Sequence, residues 1–283
     1  MRIGYTAVLA FALLAWRAAA SEPEGSFERT FNVDGAVDLD VQTGSGRIEV
    51  HPGGASSVRI HAVIRAHDGF LHNGEARIRE IEKNPPVQQT GNSIRISVPS
   101  DDWLRRHVSI SYDLVVPAQS RLRARTGSGS ESVEGIHGPV ELETGSGGVT
   151  VARVEDEVRI HTGSGRIQID SLKGRVDAHT GSGSIEGTGI TGPINAHTGS
   201  GSVRLEQTAA GPLEAQTGSG TVNVRLPAGA AFDLHAHTGS GRVYVDHPIT
   251  VQGTLGGNEV QGRVKGGGPL VDVRTGSGSV HIE

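Results

Sequence analysis

The sequence predicts an all-β protein, a single-stranded parallel β-solenoid with coils of about 18 residues that follows a less regular N-terminal β region. Three observations predict it. The tetrapeptide Thr-Gly-Ser-Gly starts at residues 43, 126, 144, 162, 180, 198, 217, 238 and 275, and from Thr126 to Thr238 the intervals are 18, 18, 18, 18, 19 and 21. A short fixed period is the mark of stacked repeats. Glycine supplies 42 of 283 residues, about twice the usual share, while aromatics are only 4%, so many tight corners must surround a thin aliphatic core. Short β-branched runs with period-two alternation flank most of the corners.

Residues 1–20 read as an export signal. Arg2 precedes an apolar run from Tyr5 to Trp16, and Ala18-Ala19-Ala20 offers a small-residue cleavage site, which places the cut after Ala20. Arg17, close to that site, keeps an uncleaved anchor open as the alternative. The run is too short to span a bilayer comfortably, and no later segment approaches the roughly 18 to 20 apolar residues a membrane helix needs. The mature chain is therefore expected to carry no transmembrane segment and to reside in the periplasm or at the cell surface. With no cysteine it has no disulfide, thiolate metal site or lipid-acceptor cysteine. Removing Arg2 and Arg17 leaves 24 basic and 31 acidic residues, a formal charge of −7, which argues against nucleic acid as partner.

Residues 21–125 form the irregular β region that caps or begins the solenoid. Strands are expected in FERTFNV, VDLDVQTGSGRIEV, SSVRIHAVIRAH, NSIRISV and VSISYDLVVP, and one helix over residues 75–83, stopped by the breaker at 84–86. Residues 101–107 read as a loop or single turn. Asp34-Gly35, Asp68-Gly69 and Asn73-Gly74 are hairpin signals.

Residues 126–283 are the regular solenoid, with two short strands per unit. With each Thr at position zero, apolar residues recur at five (Val149, Ile167, Ile185, Val203), at fourteen (Val158, Val176, Ile194, and Leu213 after an insertion) and two before the next Thr (Ile160, Ala178, Ala196, Ala215). These positions face inward. Ala178 and Thr180 share a face because strand residues two apart point the same way, yet Ile185 would then point out if the strand ran straight. The Gly-Ser-Gly must break the alternation, and glycine admits the positive φ such a corner needs.

The structural corners are therefore Thr126, Gly127 and Gly129; Thr144, Gly145 and Gly147; Thr162, Gly163 and Gly165; and Thr180, Gly181 and Gly183. Further along they are Thr198, Gly199 and Gly201; Thr217, Gly218 and Gly220; Thr238, Gly239 and Gly241; and Thr275, Gly276 and Gly278. Stacked in register, they would set Thr over Thr and Ser over Ser in hydroxyl ladders around a continuous core. About eight coils at roughly 4.8 Å make a rod near 38 Å long. The 37-residue interval before Thr275 reads as two units, with TLGG at 254–257 as a worn corner. An antiparallel meander or sandwich is the competing architecture.

The passages YDLVVPAQSRLRARTGSGS, VNVRLPAGAAFDLHAHTGSG and VRTGSGSVHIE, with the strands VRI and NSIRISVP and the exported N-terminus, resemble the bacterial "putative adhesin" β-strand-repeat family, which carries domain of unknown function 4097. The likeness covers about residues 27–283. It implies an extracytoplasmic, right-handed β-solenoid with no established catalytic activity. Fold alone does not deliver function.

Calcium β-rolls need a carboxylate after the glycines, and here the residue is Arg47, Ser130, Gly148, Arg166, Ser184, Ser202, Thr221, Arg242 or Ser279. His161, His179, His197 and His237 each precede a corner, with Glu143, Gln216 and Arg274 in that place elsewhere. This position faces outward, so three successive imidazoles would stand roughly 4.8 Å apart. A ladder presents ligands in a row, whereas zinc wants them converging at about 2.0 to 2.1 Å. A solvated polar column is the reading adopted, with no metal and no cofactor. Glu155, Asp156 and Glu157 read as solvated turn residues, and no acid repeats at facing positions as polysaccharide cleavage would require. The repeated serine is no nucleophile elbow, and an ice-binding threonine array fails because Thr faces inward. Trp103, Leu104, Phe70 and Leu71 are taken as core or cap.

The sequence thus points to an exported, non-enzymatic β-solenoid of the bacterial cell envelope, a structural or adhesin-like interaction module. Its expected partner is an envelope glycan or protein. A polysaccharide-active β-helix enzyme and a metal-binding periplasmic protein are the alternatives.

Overall fold

The computed structural model describes residues 24–66, 73–99, 108–251 and 256–283. The signal segment, Asp68-Gly69, Phe70, Leu71, Trp103, Leu104 and the first two residues of TLGG lie outside the described residues. No helix among the described residues is long and apolar enough to cross a membrane.

Alternation in the N-terminal region becomes β1 (Glu24–Asn32), β2 (Asp38–Ser45), β3 (Ile48–Gly53), β4 (Ser57–Ala66), α1 (Gly74–Lys83), β5 (Val87–Thr90), β6 (Ser93–Ile96) and β7 (Val108–Pro117). The helix matches the expected 75–83 to within one residue. The regular units then contribute two strands each. They are β8 (Arg121–Ser128) and β9 (Glu131–Glu134), β10 (Val140–Thr144) and β11 (Val149–Val154), and β12 (Val158–Thr162) and β13 (Ile167–Leu172). Next come β14 (Val176–Ser182) and β15 (Ile185–Ile190), β16 (Ile194–Ser200) and β17 (Val203–Gln207), and β18 (Leu213–Ser219) and β19 (Val222–Arg225). The chain ends in β20 (Phe232–Ser240), β21 (Val243–Val245), β22 (Ile249–Val251), β23 (Glu259–Val264), β24 (Leu270–Ser277) and β25 (Val280–Ile282).

The protein is all-β, with two long, mainly parallel sheets facing each other across a continuous aliphatic core. Strands that run into a Thr-Gly-Ser-Gly form the body of the entry sheet, whose full order is β5-β6-β2-β8-β10-β12-β14-β16-β18-β24-β20-β23-β22. Those that leave it form the exit sheet, β1-β4-β7-β3-β9-β11-β13-β15-β17-β19-β25-β21. The tetrapeptide carries the chain from one sheet to the other, which is why inward parity resets between Thr180 and Ile185, both buried. All the apolar positions assigned to the inside are buried: Val149 and Ile167 at position five, Val158 and Val176 at fourteen, and Ile160 and Ala178 two before the corner represent the three columns.

The stacking order is not the chain order. Thr43 pairs directly with Thr126, so the first corner joins the column across an insertion of β4, α1 and β5–β7. At the far end Thr217 pairs with Thr275, and Thr275 with Thr238. The last coil has entered between its predecessors. The 37-residue interval is therefore not two stacked units: after β21 the chain turns into β22 and β23, which pair antiparallel and close the entry sheet. Gly256, from the TLGG segment, makes an antiparallel bridge to Glu259 and is not a corner of the column.

The N-terminal end is closed in a matching way. β6 and β7 lie parallel to β2 and β3 as one further coil, followed by the antiparallel strands β5, β4 and β1. Exposed strand edges invite unwanted pairing, and α1 guards this one: Ile78 and Ile81 are buried and Glu82 accepts the outward Ser26 N–H at 2.9 Å. The hairpin signals act otherwise than expected. Asp34-Gly35 lies between β1 and β2, which belong to different sheets, and Asn73, with φ 60°, is the N-cap of α1. The β5–β6 hairpin instead turns at Gly91-Asn92, where Gly91 has φ 58°.

Candidate functional site

Corner chemistry builds the scaffold. Thr126, Thr144, Thr162, Thr180, Thr198, Thr217, Thr238 and Thr275 are all buried, and their serine neighbours in the described corners after Thr43 are exposed. Each threonine hydroxyl donates to the carbonyl of the second corner glycine in the adjacent coil: Thr144 to Gly129 at 3.0 Å, Thr198 to Gly183 at 2.8 Å, Thr217 to Gly201 at 2.9 Å. The expected Thr-over-Thr hydroxyl ladder is thus a ladder of threonine hydroxyls on glycine carbonyls. An inward carbonyl would otherwise be an unsatisfied buried acceptor, which is costly.

Close approach, more than torsion, demands the glycines. A Cβ built on Gly127, Gly145, Gly163, Gly181, Gly199, Gly218, Gly239 or Gly276 would lie 2.5–2.6 Å from a glycine carbonyl oxygen of the neighbouring coil. At Gly129, Gly147, Gly165, Gly183, Gly201, Gly220, Gly241 and Gly278 it would come closer still. Positive φ was expected throughout. It occurs in the second glycine of five corners, at Gly46, Gly201, Gly220, Gly241 and Gly278, with φ between 140° and 153°.

This scaffold displays outward columns on the entry sheet. One residue before Thr the spatial order is Gln42, Arg125, Glu143, His161, His179, His197, Gln216, Arg274, His237. Three before Thr it is Asp40, Arg123, Glu141, Arg159, Asp177, Asn195, Glu214, Asp272, His235. Identical coils would stack like charge on like. Here the sign alternates from Asp40 to Asp177, and Arg123 donates to Glu141 and Arg125 to Glu143, each at 3.0 Å across one coil step. Partly exposed pairs of this kind add at most about 1 kcal/mol each, but they disfavour a one-coil slip.

At mid-column the rings of His179 and His197 stack with centroids 5.0 Å apart and planes 16° from parallel. Asp177 accepts from Asn195 at 3.0 Å and lies 2.7 Å from His179 Nε2. Burial, then the neighbouring His179, pushes the His197 pKa below its ordinary 6.5. His161, one coil away, is exposed, and His237 is separated from His197 by Gln216 and Arg274 because the last coil is inserted. No group of three or more potential ligands among the described residues is placed to hold a metal ion.

Toward the N-terminal end the column opens into a groove of about 440 Å³. Gln42, Arg125, Glu143 and His161 line it together with Gly127, Gly145, Gly163 and Val98.

Glu131 and Tyr112 are buried polar residues that the sequence reading missed. Glu131 is 1% exposed, neither carboxylate oxygen has a hydrogen-bond partner, and burial followed by the Glu143 charge raises its pKa from 4.5 to about 9. It occupies position five of the Thr126 unit, where neighbouring coils place Ile48 and Val149. Aligning that unit with the others would have revealed an acid in an apolar column. Tyr112 is 2% exposed with an unpartnered hydroxyl.

No curated protein matches the chain. Among solved structures it is similar to a putative cell adhesion protein from Clostridium sporogenes ATCC 15579, at 12% identity over 91% of this chain and 99% of that one, with a TM-score of 0.30. It is also similar to a putative adhesin from Bacteroides fragilis NCTC 9343, at 12% identity over 92% of this chain and 97% of that one, with a TM-score of 0.39. The model of the Toastrack DUF4097 family matches residues 38–283, and the chain belongs to that family.

Proposed function

We propose that this is an exported, non-enzymatic module of the bacterial cell envelope, a right-handed β-solenoid that works by display. The observation that carries the reading is the in-register column of outward polar side chains on the entry sheet, from Gln42 to His237. A rigid core holds these groups at the strand spacing, so a repetitive envelope partner, glycan or protein, meets many weak contacts at once. Glu141 and Glu143 each accept a hydrogen bond from an arginine, an arrangement that suits a fixed polar surface.

Retention of the purified protein on isolated cell-wall and outer-surface fractions tests the reading, with chromatography of envelope polysaccharides run alongside. Retention that declines gradually as His179, His197 and Gln216, outward residues of that column, are replaced in turn, with the polysaccharides left intact, is the expected result. Shorter products that vanish on mutation of a single Asp, Glu or His would replace display with polysaccharide cleavage, since a catalyst loses nearly all activity with one essential residue.

A further inference from the structure

Regular corner stacking ends beneath Thr43. The next coil, from β6 and β7, has no Thr-Gly-Ser-Gly, and the Thr43 hydroxyl donates instead to the Ile110 carbonyl at 2.9 Å. A Cβ on Gly44 would meet nothing within 4 Å, whereas every later first glycine in the column faces a carbonyl. The 440 Å³ groove lies over this irregularity. Beside it is a chamber of about 20 Å³, which shares Gln42, Thr43 and Val98 with the groove and has Tyr112 among its walls. A cavity of that size admits about one oxygen-sized group.

The chemistry of the two spaces is complementary to a sugar. Gln42, Arg125, Glu143 and His161 are in successive coils, so an amide, a guanidinium, a carboxylate and an imidazole follow one another at the strand spacing of about 4.8 Å. Planar groups of this kind pair with adjacent hydroxyls through two donors or acceptors. The floor beside them is bare backbone at Gly127, Gly145 and Gly163, where side chains would have pointed along the stack into the neighbouring coil. Charge does not select an ion: Arg125 is bonded to Glu143 at 3.0 Å and lies 3.8 Å from Glu141. Tyr112 supplies the independent observation, because a buried hydroxyl with no partner is rare in a folded protein and calls for an explanation.

We propose that this groove binds a neutral oligosaccharide lying along the coil axis, with a sugar hydroxyl or its bridging water reaching the Tyr112 phenol through the chamber beside Thr43 and Val98. The proposal rests on the reading of the entry sheet as an interaction surface and turns part of it into a built site.

The test is NMR titration of the ¹⁵N-labelled full chain with cellotetraose, maltotetraose and chitotetraose, and with tetragalacturonate as the anionic comparison. Support would be saturable shifts at the Gly127, Gly145 and Gly163 amides with at least one neutral tetrasaccharide. Arg125→Ala and Glu143→Gln should each weaken that binding roughly two- to tenfold, and Tyr112→Phe, which keeps the ring in the core, should do the same. Gln168→Ala, exposed on the exit sheet and away from the displayed column, should leave it unchanged. Shifts with tetragalacturonate alone, no shift with any neutral sugar, or unaltered binding by both Arg125→Ala and Tyr112→Phe would overturn the proposal. If the protein were still retained on envelope fractions, only the groove would fall. Loss of retention as well would remove the display reading with it.

Discussion

The Thr275 hydroxyl donates to the Gly220 carbonyl at 2.9 Å, across 55 residues of chain, and Thr238 donates in turn to Gly278 at 2.8 Å. The C-terminal coil is thus bonded on both sides by coils that precede it in sequence. Terminal segments ordinarily fray first. This one cannot leave without breaking two parallel ladders, to β18 and β20 in the entry sheet, and those of β25 to β19 and β21 in the exit sheet.

Hydrogen exchange follows from that placement. Amides of Val273 and Val280, both fully buried, should exchange as slowly as those of Ala178 and Ile185 in the centre, and more slowly than those of the partly exposed β21 and β22. Exchange that is fastest at the C-terminus would contradict the inserted coil.

One tetrapeptide should respond unequally to the same substitution. A Cβ on Gly181 would lie 2.6 Å from the Gly163 carbonyl oxygen, while Gly44 has open space. Gly181→Ala should cost about 1–3 kcal/mol through forced separation of coils, and Gly44→Ala should be close to neutral. Denaturant melts of the two variants decide the matter. Equal losses would mean that torsion rather than stacking explains the glycine.

Corners and apolar columns were legible because period and alternation are properties of the covalent chain. Spatial order was not. Thr238 and Thr275 carry the same corner, so nothing local says which stacks on Thr217, and the pairing of Thr43 with Thr126 crosses a long insertion. The wall of the groove depends on that pairing, since it sets Gln42 beside Arg125. The hydroxyl acceptors were unreadable too, because a glycine carbonyl leaves no mark in sequence. A second corner also escaped notice: Gly135, Arg153, Ser171 and Gly189, each nine residues after a threonine, have φ between 52° and 66°. Mixed residue types in that column hid a left-handed conformation that only its glycines advertise.

Glu131 makes stability depend on pH in an unusual direction. Its folded pKa of about 9 exceeds the ordinary 4.5, so between those values the folded chain holds a proton that the unfolded chain releases. Stability should be fullest below about 4.5 and fall as pH rises toward 9, by up to about 1.4 kcal/mol per pH unit. Glu131→Gln should flatten the decline, and Glu131→Val, matching Val149 in the next coil, should stabilise the protein at neutral pH. Thermal melts across pH 5 to 9, which lie inside that window, test this. A wild-type profile no steeper than that of Glu131→Gln would show that the carboxyl finds a partner.

His197 acts in the opposite sense. Its folded pKa is below the ordinary 6.5, so its contribution is present above 6.5 and fades as pH falls through the folded value. The ring is partly exposed, which keeps the effect small. His197→Gln should reduce acid sensitivity between pH 6.5 and the lower folded value, while also removing the ring stack with His179. His179→Gln, which removes the stack but keeps the His197 imidazole, separates the two effects: if stacking alone matters, it will lower stability as much as His197→Gln, and the pH dependence of His197→Gln will be that of the wild type.

Ser171 offers a test of the second corner. It holds φ 55° and is exposed, and a left-handed conformation costs a residue with a Cβ roughly 1–2 kcal/mol. Glycine relieves that strain but gives the unfolded chain more freedom, worth about 0.4–1 kcal/mol against it. Ser171→Gly should therefore leave stability unchanged or raise it by up to about 1.6 kcal/mol, the reverse of what glycine does at an extended position of a strand. Ser171→Val, with a β-branched side chain in the same conformation, should destabilise by at least as much. The comparison is sharpest against Gln168→Gly and Gln168→Val on the same strand, an exposed position whose φ is not left-handed. There valine should be the better residue. If glycine and valine rank in the same order at Ser171 and Gln168, the left-handed corner is not what holds the coils at this turn.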